Sequence, residues 1–223
     1  MRPIGHIETD LPEKFGVPRQ SGLVEELTGR VVLEPDFRRP EVFRELDGFS
    51  HLWLLWHFSE CAGQPWHPTV RPPRLGGNRR VGVFASRAPF RPNGIGLSCV
   101  RLLRIDREAA DGPCLWVAGV DMTDGTPLLD IKPYVPVTDL RPDAAQGYTA
   151  QTREHRLQVV LPDGADALLP PDKAAALRGL LAGDPRPGYE QDPDKRYGIA
   201  FAGHQVRFRV EGDVLTVETI TRI

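Results

Sequence analysis

The chain has 223 residues, 28 basic and 30 acidic side chains for a formal net charge of −2, and 40% hydrophobic and 26% charged residues. That length can bury a core without disulfide or metal staples, and that composition excludes a disordered chain or a membrane-spanning bundle. Glycine and proline, 22 of each, interrupt helices and central strands, so a helical bundle is excluded and short strands joined by turns are expected.

In chain order, Ile4, His6, Thr9 and Leu11 open an irregular start, and Lys14 to Gly22 reads as a loop. Val31 to Glu34 looks like a short strand. Pro40 suits a first helical position, Val42, Phe43 and Leu46 share a face and Gly48 fits just past the end, which predicts one short helix. His51 to Phe58 is a near-continuous apolar run rich in aromatics, too short for most helices, and reads as a buried strand. After a long loop from Pro65 to Asn78, strands are predicted at Val81 to Phe84, Leu97 to Ile105, Leu115 to Asp121 and Thr126 to Lys132. Their spacing suits a small barrel or a sandwich.

The texture changes after Pro142, and a domain boundary is expected between residues 145 and 154. His155 to Leu161 is a further strand. Pro171 to Ala182 reads as an amphipathic helix with Ala174, Leu177, Leu180 and Leu181 inward and Gly183 as its stop. Val206, Phe208 and Val210 alternate with Gln205, Arg207 and Arg209 before a turn into Val214 to Ile220, a hairpin with a basic outer face.

Charge is unevenly spread. Cys61 to Ile105 holds eight arginines and no acid, whereas Asp106 to Gln151 holds eight acids against three bases. GC-rich coding accounts for arginine in place of lysine but not for the missing acids, so the first stretch is a candidate phosphate or nucleotide site. The amino terminus has no apolar run and no segment is long enough for a membrane span, which points to the cytoplasm. Cys61, Cys99 and Cys114 show no CxxC spacing and fit reduced thiols. Neither GxGxxG nor GxxxxGK[ST] occurs, which argues against a Rossmann cofactor site, and no HExxH or GxSxG is present. His51 and His57 would share one side of a regular strand, without further ligands nearby for a metal.

More specific are TVRPPRLGGN (69–78), VGVFASR (81–87), FRPNGIG (90–96) and DGTPLLDIKPY (124–134), with PRQ at 18–20, FSHLWLL at 49–55 and DPRPGY at 184–189. Prolines freeze loop shape, glycines admit close approach to backbone amides and arginines fix positive charge. Taken together, and over nearly the whole chain, these stretches resemble the TsaA-like or TrmO family of S-adenosylmethionine-dependent tRNA methyltransferases.

The resemblance implies a mainly β fold: a small barrel, not a Rossmann sheet, over residues 1–145, with a smaller α+β tRNA-binding domain over 154–223. It also implies a homodimer with S-adenosylmethionine near the subunit interface, no metal, and methylation of the exocyclic N6 amine of threonylcarbamoyladenosine beside the anticodon of ANN-decoding tRNAs. Cofactor contacts would fall on Arg19, Gln20, Ser21, Ser59, Glu60, Arg87, Leu97, Leu128, Leu129, Asp130 and Ile131. Ser21 departs from the PRQP common in the family, and Ser59 and Glu60 lie in a poorly matched segment. In-line methyl transfer relies on positioning, yet a urea-like amine is a weak nucleophile until its proton is accepted, and Asp130 or Asp124 is the expected acceptor or its organiser.

The anticodon loop would meet Arg71, Arg74, Arg79, Arg80 and Arg91, extended by Arg207 and Arg209, with Arg186 and Tyr189 holding or stacking on unpaired bases. Two rival readings are a non-catalytic RNA-binding module and a methyltransferase for another RNA or a small molecule. Intact PRQ, ASR and DGTPLLDIKPY argue against the first, DPRPGY against the second.

Overall fold

In the computed structural model of the chain, residues 1–72, 75, 79–152, 156–165, 168–186 and 192–223 are described. Eight strands come first: β1 (Gly5–Thr9), β2 (Thr28–Leu33), β3 (His51–His57), β4 (Thr69–Val70), β5 (Val81–Gly82), β6 (Ile95–Asp106), β7 (Cys114–Ala118) and β8 (Thr126–Pro133). Six of them close an antiparallel barrel in the order β1-β2-β7-β6-β3-β8, and β4 and β5 pair separately in the long loop. Closure leaves no unpaired edge.

β3 shows why the sequence folds this way. Leu52, Leu54 and Trp56 are buried while His51, Trp53, Leu55 and His57 stay half-exposed, so the aromatic run has one inner and one outer face. Ile7, Val31, Leu115, Val117, Val100 and Leu128 complete the filling of the barrel. Each such side chain contributes about 1.5–3 kcal/mol.

A short α1 (Pro136–Asp139) leads to the second part: β9 (Gln158–Val160), α2 (Pro171–Ala182), β10 (Tyr197–Phe201), β11 (His204–Glu211) and β12 (Val214–Arg222). These strands form one sheet, β10-β11-β12-β9, with β9 parallel to β12. Its core is Ile199, Phe201, Val206, Phe208, Val210, Leu215 and Val217 under Leu177, Leu180 and Leu181 of α2.

The loop from Asp10 to Leu27 ties the two parts together. Asp10 accepts the Ala202 N–H at 3.1 Å and pairs with Lys173, the Glu13 carboxylate accepts the Ala200 N–H at 3.2 Å, and Phe15 stacks on Tyr197 with centroids 6.5 Å apart. Gly179 leaves room for Val24, whose Cγ1 lies 2.7 Å from where a Cβ would stand.

Several local expectations are corrected. The start of the chain is regular β1, stitched on both sides, with only Gly5 and Ile7 buried among its five residues. The single helix expected from Pro40 is two separate 3-10 turns, Pro40–Phe43 and Leu46–Gly48, preceded by another at Pro35–Phe37 and broken at Glu45, whose φ of 64° no helix admits. The strand expected at Val81 to Phe84 becomes a 3-10 turn from Val83, and β10 was not expected at all. The predicted α2 matches, but the left-handed residue past its end is Asp184 (φ 53°) and not Gly183 (φ −71°).

Candidate functional site

One cavity of about 1060 Å³ opens at an end of the barrel. Its walls come from the Lys14–Gln20 loop, the end of β3 with the turn through Cys61, the Phe84–Arg91 loop, the start of β6 and the Asp121–Thr126 loop.

The wall is built around a glycine. Gly96 pairs with Trp56 across β6 and β3, and a Cβ there would stand 2.2 Å from the indole ring, so only glycine lets that ring lie flat on the strand. Trp56 packs against Phe58 with centroids 4.3 Å apart and donates its Nε1–H to Ser98 Oγ at 2.9 Å. The fully buried Ser98 in turn donates to Asp121 Oδ1 at 2.5 Å.

Asp121 lies just beyond β7 and lines the cavity. Burial pushes its pKa up to about 6, against the opposing pull of the Ser98 hydroxyl, the Ser21 backbone N–H and the nearby Arg87 charge. A mostly buried acid with a raised pKa in a cavity wall is a candidate for the chemistry of the site.

The loop carrying PRQ is held from three sides. Arg19 donates to the Asp184 carbonyl at 3.3 Å and the Arg186 carbonyl at 3.1 Å. Gln20 Oε1 accepts from Arg87 at 2.6 Å, and Ser21 Oγ accepts the Cys99 N–H of β6 at 3.0 Å. On the opposite wall Glu60 pairs with Lys14 at 3.1 Å and accepts from Thr123 Oγ1 at 3.0 Å.

Of the expected cofactor residues, Arg19, Gln20, Ser59, Glu60, Arg87 and Leu97 converge on this cavity from four separate segments, together with Arg71 and Arg91. Ser21 stands one step behind, as the anchor of its loop. Leu128 is a core residue of the barrel, and Leu129, Asp130 and Ile131 do not line the cavity. Asp130 sits on β8 across from Leu55 and pairs with Lys132 at 2.8 Å. Asp124 is a turn brace whose Oδ1 accepts the Thr9 N–H at 2.9 Å.

Among the arginines expected at tRNA, Arg79 and Arg80 are exposed, the latter donating to Thr69 at 2.8 Å. Arg91 instead braces its own loop, donating to the Ser86 carbonyl at 2.7 Å. Arg186 is largely buried in a two-pronged pair with Asp184 at 2.9 and 3.0 Å, and the carbonyls of these two residues support the PRQ loop through Arg19. Arg207 is exposed on β11, and Arg209 beside it pairs with Glu218 at 3.7 Å. Arg74 and Tyr189 lie outside the described residues. The residue that motif reading missed is Asp121; its one signal was an acid ending an otherwise apolar strand, Leu115 to Val120.

Residues 6–140 match the tRNA-methyltransferase O N-terminal domain and residues 154–223 the TrmO C-terminal domain. A tRNA (adenine(37)-N6)-methyltransferase of Eikenella corrodens is 45% identical over 78% of this chain and 98% of its own length. That of Escherichia coli K12 is 40% identical over 93% and 91%. The crystal structure of TrmO from Pseudomonas aeruginosa superposes with a TM-score of 0.75 at 33% identity, covering 98% of this chain and 97% of that one. With both parts matched end to end and the barrel shared, the chain belongs to the tRNA-methyltransferase O family.

Proposed function

We propose that this cavity is where the chain transfers a methyl group from S-adenosylmethionine to N6 of adenine 37 of tRNA, and that the acceptor is the threonylcarbamoylated form of that base. The convergence of Arg19, Gln20, Ser59, Glu60, Arg87 and Leu97 on one cavity carries the reading.

The residues present fit such a donor. Small-molecule sites occupy about 300–1,000 Å³, so about 1060 Å³ gives room for the donor and an inserted base together. Trp56, Phe58, Phe84 and Leu97 offer apolar surface for an adenine ring, Arg19, Arg71 and Arg87 face an amino-acid carboxylate, and Glu60 balances positive charge. The donor supplies an electrophilic methyl group on a sulfonium sulfur. The chain's own part is to hold the acceptor nitrogen in line with that methyl and to exclude water.

Arg71, Arg79 and Arg80 beside the cavity suit the phosphates of a single-stranded loop, with Arg207 as an outlying contact in the second part. A tRNA substrate agrees with a cytoplasmic location.

The assembly that fits best is a homodimer. Asp130, Leu55 and Leu97 form one outward row across β8, β3 and β6, and Leu97 is 45% exposed at the cavity. A second copy seated on that row would cover it and would bring Leu129, Asp130 and Ile131 toward a cofactor site. Sedimentation showing a monomer at micromolar concentration would remove this part of the reading.

The test incubates purified protein with S-adenosylmethionine and two forms of tRNA(Thr), one threonylcarbamoylated and one unmodified, followed by nucleoside mass spectrometry. A methyl gain confined to the modified purine is expected. Gain on both would leave the enzyme and remove the substrate preference, and no gain would overturn the reading.

A further inference from the structure

Three carboxylates after β7 fall within ten positions, Asp121 to Asp130, and only one lines the cavity. Asp124 braces a turn through the Thr9 N–H, and Asp130 lies on the outer face of β8 against Lys132. Asp121 lines the cavity, and the other described carboxylate there, Glu60, is engaged by Lys14 at 3.1 Å and Thr123 at 3.0 Å.

Asp121 is also the carboxylate that the wall is built to aim. Ser98 donates to its Oδ1, Trp56 fixes Ser98 from behind, and the backbone of Ser21, anchored to β6 through Cys99, lowers its pKa from the PRQ loop. The Ser98 hydroxyl takes one of the about four lone-pair sites of the carboxylate, and the partly exposed residue lines the cavity. The neighbouring charge is Arg87, which Gln20 holds at 2.6 Å.

We propose that Asp121 takes the proton of the methyl-accepting N6 amine, with Ser98 and Trp56 as the positioning residues behind it. The proposal rests on the reading of the cavity as the methyl-transfer site. The lone pair of N6 is delocalised into the purine, and in the threonylcarbamoyl form into the carbonyl as well, so the nitrogen attacks well only as its proton is removed. The N6–CH3 bond forms as the S–CH3 bond breaks and leaves its electron pair on sulfur. The N6 proton passes to a carboxylate oxygen of Asp121 and from there to water at the cavity mouth. One cation and one N–H become a neutral thioether, an N–CH3 group and a released proton.

The groups facing Asp121 set its basicity. The desolvating wall raises its pKa, while the Ser98 hydroxyl, the Ser21 N–H and the Arg87 guanidinium keep it low enough to be ionised at neutral pH. A base poised near the working pH combines the right protonation state with a useful affinity for the proton.

Single-turnover methylation at saturating tRNA and S-adenosylmethionine, followed between about pH 5 and 9, tests this. The wild-type rate should rise through about pH 6 and level off. Asp121→Asn keeps the size and the bond from Ser98 but removes the base. It should lower the plateau rate about 100-fold or more and abolish the limb, with the dissociation constant for S-adenosylmethionine, read by calorimetry, within about threefold of wild type. Ser98→Ala removes a donor that lowers the pKa and should move the limb to higher pH, which keeps the test open if Asp121→Asn does not fold. An Asp121→Asn rate equal to wild type, a loss confined to cofactor affinity, or an unmoved limb in Ser98→Ala overturns the proposal. A wild-type protein that methylates no tRNA removes the reading beneath it.

Discussion

The cavity wall and the outer face of β8 carry the same side chain, Asp121 and Asp130, nine positions apart in one segment. Asp121 has a buried serine behind it, a backbone N–H from a second loop, and a pKa pushed up to about 6. Asp130 has the Lys132 ammonium at 2.8 Å and stands 45% exposed. What a carboxylate can do is set by desolvation and by the donors around it, not by its place in a motif. DGTPLLD draws the eye to Asp124 and Asp130, yet the acid that lines the cavity precedes that motif.

Variants on either side of this contrast should behave differently. The largest effect should come from the wall itself: Gly96→Ala puts a methyl group into the Trp56 indole, and overpacking of this kind costs about 1–3 kcal/mol. Because the displaced ring also holds Ser98, activity should fall beyond what the stability loss explains. Urea unfolding alongside single-turnover rates separates the two.

A comparable change of opposite sign is expected from Asp121→Asn. The folded pKa of about 6 lies above the ordinary value of 3.8, so the wild-type charge opposes folding, with a penalty that builds between those two pH values and is complete above about 6. The variant should be more stable than wild type at pH 8 by up to about 3 kcal/mol, and the gap should close below about pH 4. Equal stabilities at both pH values would show that Asp121 is not desolvated.

The smallest effect belongs to the outer face. Asp130→Asn removes an exposed ion pair worth about 0–1 kcal/mol, and its single-turnover rate at saturation should stay within about threefold of wild type. A loss as large as that of Asp121→Asn would move the chemistry to β8.

Much of this was legible in the sequence where the physics is local. The apolar run HLWLLWH announced β3, alternation announced β11, and Pro171 with the spacing of Leu177, Leu180 and Leu181 announced α2. Gly5–Thr9 was not, because β1 buries only Gly5 and Ile7 and owes its form to pairing with β2 and β8. Nor was the 3-10 character after Pro40, which depends on the left-handed Glu45.

In the site, the arginine-rich, acid-free stretch and the PRQ motif led to residues that do meet at the cavity. Asp121 escaped because its chemistry comes from partners 23 and 100 residues away, Ser98 and Ser21, that no local pattern joins to it. Arg186 reads as a nucleotide contact from its motif, and no local pattern announces its pair with Asp184 or its carbonyl bond to Arg19.

The most direct measurement is a crystal structure of the protein with S-adenosylhomocysteine. The ligand should lie inside the cavity against Arg87 and Leu97, its sulfur facing the space beside Asp121. Ligand bound away from these walls, on the outer face of β8 within a single copy, would contradict it.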